Sequence, residues 1–120
     1  MSRHLRLWML AALLWLPQVQ TAEATQGVTA IAAAELPAEA RATLQAIKQG
    51  GPFAYERDGV AFGNYERILP RQARGYYREY TVETPGVRNR GARRIVCGPL
   101  PECYYTSDHY QTFKRIQESP

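Results

Sequence analysis

The sequence is short of several residues and segments on which common functional sites depend. Its 120 residues include two cysteines, too few for a disulfide-rich scaffold or a four-cysteine zinc site. Its main apolar run, LWMLAALLWL (Leu7–Leu16), is about half as long as a membrane-spanning helix. We find no internal repeat and no low-complexity stretch. With 45% hydrophobic and 22% charged residues, the composition predicts a globular chain of one domain and excludes a disordered or collagen-like protein.

The first 24 residues have the layout of a secretory signal peptide. A basic start (Arg3–Arg6) precedes the apolar run, Pro17 ends that run, and Ala22–Ala24 supplies a small-x-small cleavage pattern. Cleavage after Ala22, and a retained membrane-anchored or amphipathic helix, are the alternatives. We therefore expect a secreted protein, extracellular or periplasmic, in which residues 25–120 form a single domain.

Loss of this segment narrows the chemistry open to the mature chain. Both tryptophans are removed, and His109 remains as the single histidine. The net charge of +4 for the full sequence favours an anionic partner. In an oxidising compartment Cys97 and Cys103 are expected to form a disulfide that closes a turn rich in glycine and proline. Free thiols, pairing with another chain and a two-cysteine metal site are the alternatives.

Hydrophobic spacing predicts one helix followed by short strands. Ala40, Leu44 and Ile47 recur at helical spacing, which predicts a helix over Pro37–Gln49 that Gly50-Gly51-Pro52 ends. Beyond it, β-rich runs between turn residues predict strands at Val60–Phe62, Gly75–Val82, Arg93–Cys97, Tyr104–Ser107 and Tyr110–Ile116. The expected fold class is α+β, with one N-terminal helix packed on a twisted antiparallel sheet of about five strands.

The segment Thr25–Ala34 precedes this helix and is weakly patterned. Its side chains are small, and we expect the segment to be extended.

Four segments concentrate the residues that could carry chemistry. They are a polar loop after a strand, an aromatic strand with one carboxylate, an arginine cluster, and a segment around the single histidine. In chain order they are Asp58–Glu66 (DGVAFGNYE), Gly75–Val82 (GYYREYTV), Thr84–Ile95 (TPGVRNRGARRI) and Tyr104–Phe113 (YYTSDHYQTF). Together they resemble the microbial guanyl-specific ribonucleases, the barnase-like family, and in particular its small secreted Streptomyces-type enzymes. The resemblance extends from Leu36 to Ile116.

This resemblance implies the microbial ribonuclease fold and a reaction. It implies cleavage of single-stranded RNA on the 3′ side of guanosine, first to a 2′,3′-cyclic phosphate and then to a 3′-phosphate, with no metal or cofactor. RNA supplies its own nucleophile, the 2′-hydroxyl, so the protein must supply a base, an acid and cations for the phosphorane charge. The resemblance assigns Glu79 as the base, His109 as the acid, and Arg90 and Arg94 as the phosphate ligands.

The resemblance also implies a guanine pocket in the segment Phe62–Glu66. Glu66 occupies the position of a glutamate that accepts hydrogen bonds from guanine N1 and N2, and Asn64 occupies a conformationally demanding loop position. Phe62 and Tyr110 match aromatic positions that flank the base. Since adenine has no N1–H donor, a carboxylate at Glu66 would discriminate against it.

Several positions depart from the family pattern or keep two interpretations. Gly63 and Tyr65 stand where relatives often carry a polar or basic residue, and Tyr65 could instead cover the base. Tyr55 either approaches the phosphate or packs as a strand aromatic. The Streptomyces-type enzymes join their chain ends by a disulfide, whereas Cys97 and Cys103 are close in sequence.

Each of these residues, taken singly, also has a structural interpretation. Glu79 could form an ion pair, His109 could be structural, Glu66 could be a surface charge, and the arginine run could be a basic face. Asp108 is expected to accept turn or capping hydrogen bonds. The alternatives for the whole chain are a non-catalytic RNA- or nucleotide-binding module, a toxin controlled by a barstar-like inhibitor, and a structural domain. We expect a monomer that acts on single-stranded RNA.

Overall fold

The computed structural model describes residues 28–119, so the predicted signal peptide lies outside the described residues. Within them the chain forms one α-helix, one short 3-10 turn and six short strands. In chain order these are β1 (Thr29–Ala32), the 3-10 turn (Ala33–Glu35), α1 (Ala38–Gln49), β2 (Val60–Ala61), β3 (Arg78–Thr81), β4 (Arg94–Cys97), β5 (Cys103–Thr106) and β6 (Lys114–Gln117). No helix in this part of the chain is long and apolar enough to cross a membrane.

Helix α1 begins one residue later than its sequence pattern indicates and ends where predicted. Pro37 is the N-cap residue rather than the first helical residue. Gly50 ends the helix because it adopts a left-handed conformation (φ 83°), in which its N–H reaches carbonyls of the last turn. Ala40, Leu44 and Ile47 are buried in a core shared with residues of the sheet. This confirms the predicted apolar face of the helix.

The sheet has six strands in the order β1-β6-β5-β4-β3-β2. Four of its five pairings are antiparallel, but β1 runs parallel to β6, with Thr29 opposite Lys114. One strand is therefore present that was not predicted, and the sheet is mixed rather than wholly antiparallel. The missed strand, TAIA, has two β-branched residues but no aromatic one and is half alanine, so these four residues give only a weak strand signal. The α+β architecture, one helix on one sheet, is confirmed.

The last strand begins later than the sequence pattern predicts. The pattern predicts a strand over Tyr110–Ile116, whereas β6 covers Lys114–Gln117. The start of that run is a loop, because His109 and Tyr110 have positive φ angles of 59° and 73°, which a strand does not accommodate. The other four predicted strands are present, with ends that differ by at most three residues.

The two faces of the sheet differ in what covers them. The face toward α1 is closed by a core that includes Leu44, Val82 and Ile95. The opposite face carries an aromatic cluster that includes Tyr77 and Tyr104. Because α1 covers only the first face, the second is open to carry polar side chains.

A disulfide joins Cys97 of β4 to Cys103 of β5. The two residues are directly opposite in the strand register, so the expected local bridge is confirmed and free thiols are not present at these positions. The bridge closes the turn between the two central strands. Glu102 in that turn accepts hydrogen bonds from the hydroxyl groups of Tyr76 (2.6 Å) and Tyr104 (2.7 Å), which fixes the turn against the aromatic cluster.

We predict that removal of this disulfide lowers stability without changing the fold. For a loop with a sequence separation of 6, chain entropy gives a loss of about 2 kcal/mol. In a domain of this size that is a fall in Tm of about 10 °C, measurable by thermal unfolding of the double variant Cys97→Ala/Cys103→Ala. A reducing agent should destabilise the wild-type protein equally and leave the variant unchanged. A loss in the variant that reduction does not reproduce would contradict the prediction.

Candidate active site

Two adjacent rows of side chains build the site on the open face of the sheet. The strand register places Thr81, Arg94 and Thr106 side by side on β3, β4 and β5. Glu79 lies in the next row and is opposite Val96. Because side chains alternate along a strand, both rows point away from α1. Strand pairing alone therefore brings a carboxylate and a guanidinium next to one another.

The buried residues Glu79 and Arg94 form one polar unit with the half-buried Tyr110. Glu79 and Arg94 are only 8% and 3% exposed. Arg94 Nε lies 3.8 Å from Glu79 Oε1 and donates to the Tyr110 hydroxyl at 3.0 Å, while that hydroxyl donates to Glu79 Oε1. Arg94 Nη1 donates to the carbonyls of Gly91 (3.0 Å) and Arg93 (2.8 Å). These contacts compensate for charges that would be costly to bury unpaired.

The ring of Tyr110 is held by an aromatic and a cationic neighbour. The ring of Phe62 stacks on it at 5.2 Å with an interplanar angle of 27°, and the guanidinium of Arg94 lies 5.8 Å from its centre. Burial, and then the hydrogen bond to Glu79, raise the pKa of the Tyr110 hydroxyl. The hydroxyl therefore keeps its proton and can donate to the carboxylate at neutral pH. Phe62 and Tyr110, the pair predicted to flank a base, are in direct contact with each other.

The four residues predicted to act in catalysis line one cleft of about 480 Å³. Arg90 reaches it from the loop before β4, where its Nε and Nη2 donate to the Thr81 hydroxyl at 3.0 and 2.8 Å. The structure adds Arg57 to the cleft, which the sequence analysis missed. Its position in the turn Arg57-Asp58-Gly59 gave no signal beyond a surface charge. The residues that line the cleft and bear on chemistry are Arg57, Glu79, Arg90, Arg94 and His109.

A loop between β5 and β6 presents His109 to the cleft. The Thr106 hydroxyl accepts the backbone N–H of Tyr110 at 3.1 Å and donates to Asp108 Oδ1 at 2.8 Å. Asp108 Oδ1 also accepts the backbone N–H groups of Gln111 (3.1 Å) and Thr112 (2.9 Å), and Oδ2 accepts the Thr112 hydroxyl at 2.6 Å. These bonds stabilise the left-handed backbone that points the histidine outward, as expected for a turn-capping Asp108.

A second loop forms a pocket of about 250 Å³ beside the cleft. Asn64, at a positive φ of 52°, closes the loop by accepting the N–H of Leu69 (3.2 Å) and donating to its carbonyl (3.0 Å). Tyr65 is 91% exposed, and a Cβ at Gly63 would lie 2.5 Å from its ring. Only glycine at position 63 allows this ring position. The residues predicted for base binding that line the pocket are Phe62, Asn64, Tyr65, Glu66 and Tyr110.

Some residues fall outside the predicted arrangement. Tyr55 lines a separate groove beside α1, so the structure does not bring it to the cleft or to the pocket. The pocket gains Ile68, Gln111 and Phe113, which sequence reasoning missed because each has the pattern of an ordinary core or loop residue.

The matching family model is described as ribonuclease and covers residues 19–117. The chain is 55% identical over 85 residues to guanyl-specific ribonuclease Sa of Kitasatospora aureofaciens, across 70% of this chain and 88% of the relative. It is 50% identical over 90 residues to guanyl-specific ribonuclease St of Saccharopolyspora erythraea, across 75% of this chain and 89% of the relative.

Solved structures of ribonuclease Sa2 share this fold. One with guanosine-2′-cyclophosphate has a TM-score of 0.73 and 44% identity, and the match covers 78% of this chain and 99% of that one. Another, with 3′-GMP, has a TM-score of 0.72 and 43% identity, covering 78% and 100%.

We predict that Asp108 stabilises the histidine loop in a pH-dependent way. Its hydrogen bonds, above all that from the Thr112 hydroxyl, lower the pKa of the carboxyl to about 2 from its ordinary value of 3.8. A lowered pKa gives stability that is present above pH 4 and lost as the pH falls toward 2. Asp108→Asn should therefore lower the free energy of unfolding at pH 6, and the difference from wild type should shrink between pH 4 and 2.

Chemical denaturation across this pH range measures the effect. Glu56→Gln, which removes one exposed carboxylate elsewhere on the surface, is the matched control and should show no such trend. A difference for Asp108→Asn that stays constant from pH 6 to pH 2 would show that the carboxylate charge does not hold this loop.

Proposed function

The chain belongs to the ribonuclease family, and from that membership we propose that it is a guanyl-specific endoribonuclease that cleaves single-stranded RNA on the 3′ side of guanosine. One observation supports the proposal for particular residues. The cleft that holds Glu79, His109 and the arginines directly adjoins the pocket of Glu66, and the two share Phe62, Tyr65, His109 and Tyr110. A guanine in the pocket would thus leave its 3′-phosphate within the cleft.

In the first step, Glu79 removes the proton from the 2′-hydroxyl of the guanosine. The 2′-oxygen then attacks phosphorus and forms the 2′,3′-cyclic phosphate, while the bond from phosphorus to the 5′-oxygen of the next nucleotide breaks. His109 donates its proton to that leaving oxygen. General acid–base catalysis of this kind contributes roughly 10²–10⁴ to the rate, and it requires groups in opposite protonation states at the same pH.

In the second step, the two groups exchange roles. His109 takes a proton from water, whose oxygen attacks the cyclic phosphate, and Glu79 returns its proton to the 2′-oxygen. The product is a 3′-phosphate. Each group ends the full cycle in its starting protonation state, so no cofactor is consumed.

The arginines stabilise the negative charge that develops on the phosphorane oxygens. Arg94 is held rigidly by its carbonyl and hydroxyl contacts, and Arg90 by Thr81. Fixed donors stabilise a transition state better than mobile ones, because they need no reorganisation as charge develops. We propose that Arg57, in the same cleft, adds a third positive charge around the phosphate.

Guanine recognition is proposed for the exposed carboxylate of Glu66 in the loop that Asn64 closes. The carboxylate accepts hydrogen bonds from guanine N1–H and N2–H, and Phe62 supports the base. Single-stranded RNA is required, because pairing would hide the base edge that Glu66 contacts. The nucleotides described for the ribonuclease Sa2 structures are of the kinds expected as intermediate and product. We propose that the protein is secreted and acts as a monomer.

We predict that the mature protein, from Thr25, cleaves GpA in the presence of EDTA and leaves ApA and UpA nearly intact. The first product should be the cyclic phosphate, separable from 3′-GMP by chromatography. His109→Gln, which removes the acid, is the control and should reduce GpA turnover at least 100-fold. Equal cleavage of all three dinucleotides would refute the guanine pocket, and no cleavage by folded wild-type protein would refute the enzyme.

We predict that Glu66→Gln lowers kcat/KM for GpA by about 10- to 100-fold, since hydrogen bonds to a charged group are worth about 1.5–3 kcal/mol. The slow cleavage of ApA should be unchanged, because adenine makes no donor contact with the carboxylate. Glu35→Gln, which alters an exposed carboxylate before α1, is the matched control. A loss of equal size on both substrates would remove Glu66 from base recognition.

A further inference from the structure

A groove of about 450 Å³ adjoins the guanine pocket and has no role in the reaction described above. It shares Phe62, Asn64 and Tyr65 with that pocket. Its distinctive lining is three arginines within eight residues, Arg67, Arg71 and Arg74. We call this the basic groove.

The guanidinium groups of the basic groove are available to an external anion. All three arginines are exposed. The three ion pairs found among residues 28–119 join other residues, namely Lys48 with Glu118, Arg93 with Glu39, and Arg94 with Glu79. The positive charge of the basic groove is therefore not neutralised by a carboxylate of the described chain.

The backbone that carries these arginines is fixed rather than loose. The Tyr77 hydroxyl donates to the carbonyl of Pro70 at 2.5 Å. Leu69, which comes just before Pro70, is fully buried and anchors the start of the segment. The N–H of Tyr76 donates to the carbonyl of Ala73 at 3.1 Å, which turns the chain back toward β3. Arg71 and Arg74 thus extend from a segment tied to the sheet at both ends.

We propose that the basic groove binds the phosphate backbone of nucleotides that flank the cleaved GpN step. The inference rests on the proposed function, since the groove gains an RNA ligand only if the neighbouring pocket holds a guanosine. Guanidinium groups next to an exposed aromatic ring such as Tyr65 are the combination that binds single-stranded nucleic acid. Continuity with the pocket allows one strand to occupy both.

The charge of a second groove outside the site supports the same path for the strand. The groove beside α1 is lined by three carboxylates, Glu39, Asp58 and Glu83. Glu39 is paired with Arg93, and the two others would repel phosphates. An extended RNA strand that leaves the cleft is therefore favoured electrostatically along the arginine-lined side.

The test compares the double variant Arg71→Ala/Arg74→Ala with wild type on substrates of different length. The substrates are GpA and two oligonucleotides that extend it by several adenosines, one on the 5′ side and one on the 3′ side. For GpA, kcat/KM should be unchanged. For at least one extended substrate it should fall about tenfold at low salt, and the slope of log kcat/KM against log salt should become shallower by about 0.7 for each lost phosphate contact.

The matched control is Lys48→Ala/Lys114→Ala. It also removes two positive charges, but from positions outside the basic groove. Both lysines are exposed and neither lines the groove, so the control should keep the wild-type length dependence. Affinity for an oligonucleotide with 2′-deoxyguanosine at the cleavage site, which lacks the nucleophile, is measured by fluorescence anisotropy. This second measurement tests the groove even if no cleavage occurs.

The outcomes separate the subsite from the enzyme. If wild type does not cleave GpA, the proposed function is refuted. A lower oligonucleotide affinity of the arginine variant would still support RNA binding in the basic groove. Equal losses in the arginine and lysine variants would overturn the subsite and assign the effect to net charge. Unchanged rates and affinities in the arginine variant would also overturn it, and would leave the basic groove to another anionic partner, such as an acidic protein.

Discussion

The buried guanidinium of Arg94 is the constraint on which the site depends. A cation at 3% exposure destabilises a fold unless an opposite charge and hydrogen bonds compensate for its burial. The partners that satisfy it come from three different parts of the chain, namely Glu79 on β3, carbonyls just before β4, and the hydroxyl of Tyr110 from the last loop. Compensating this one charge therefore requires the same arrangement that places a carboxylate, a cation and the histidine loop around one cleft.

The sheet and the loops hold different residues of the candidate site. Central strands fix Glu79 and Arg94 through backbone register, which does not vary with small movements of the surface. His109 and Glu66 lie on loops, where a histidine can reach solvent and a carboxylate can meet a base edge. Each of these loops is closed by a short polar side chain bound to its own backbone, Asp108 in one and Asn64 in the other. Such bonds give a loop part of the rigidity that a functional site needs.

The sequence predicts the elements that have regular hydrophobic spacing and the residues that lie in recognisable motifs. Helix α1 follows from the spacing of Ala40, Leu44 and Ile47, and the catalytic candidates follow from motifs that keep their order along the chain. The first strand was missed because its pairing with β6 is set by tertiary contacts rather than by its own alanine-rich residues. The extent of the last strand was predicted wrongly. The alternation of residues 110–116 does not reveal that hydrogen bonds to Thr106 and Asp108 close a loop in which Tyr110 has a positive φ. Arg57 was missed because only the folded sheet brings its turn to the cleft.

In the proposed function, base recognition and catalysis meet at a single aromatic pair. Phe62 lines the proposed guanine pocket, the cleft that holds Glu79 and His109, and the basic groove. Tyr110 stacks on Phe62 while its hydroxyl donates to Glu79. In the proposed function, a base that contacts Phe62 also acts on the ring that orients the catalytic carboxylate. Binding energy from the correct base can then favour the reactive arrangement rather than only the bound one, which is the condition for specificity to raise kcat as well as affinity. In the proposed function, the contact between these two rings couples the choice of guanine to the position of Glu79, the carboxylate that starts the reaction.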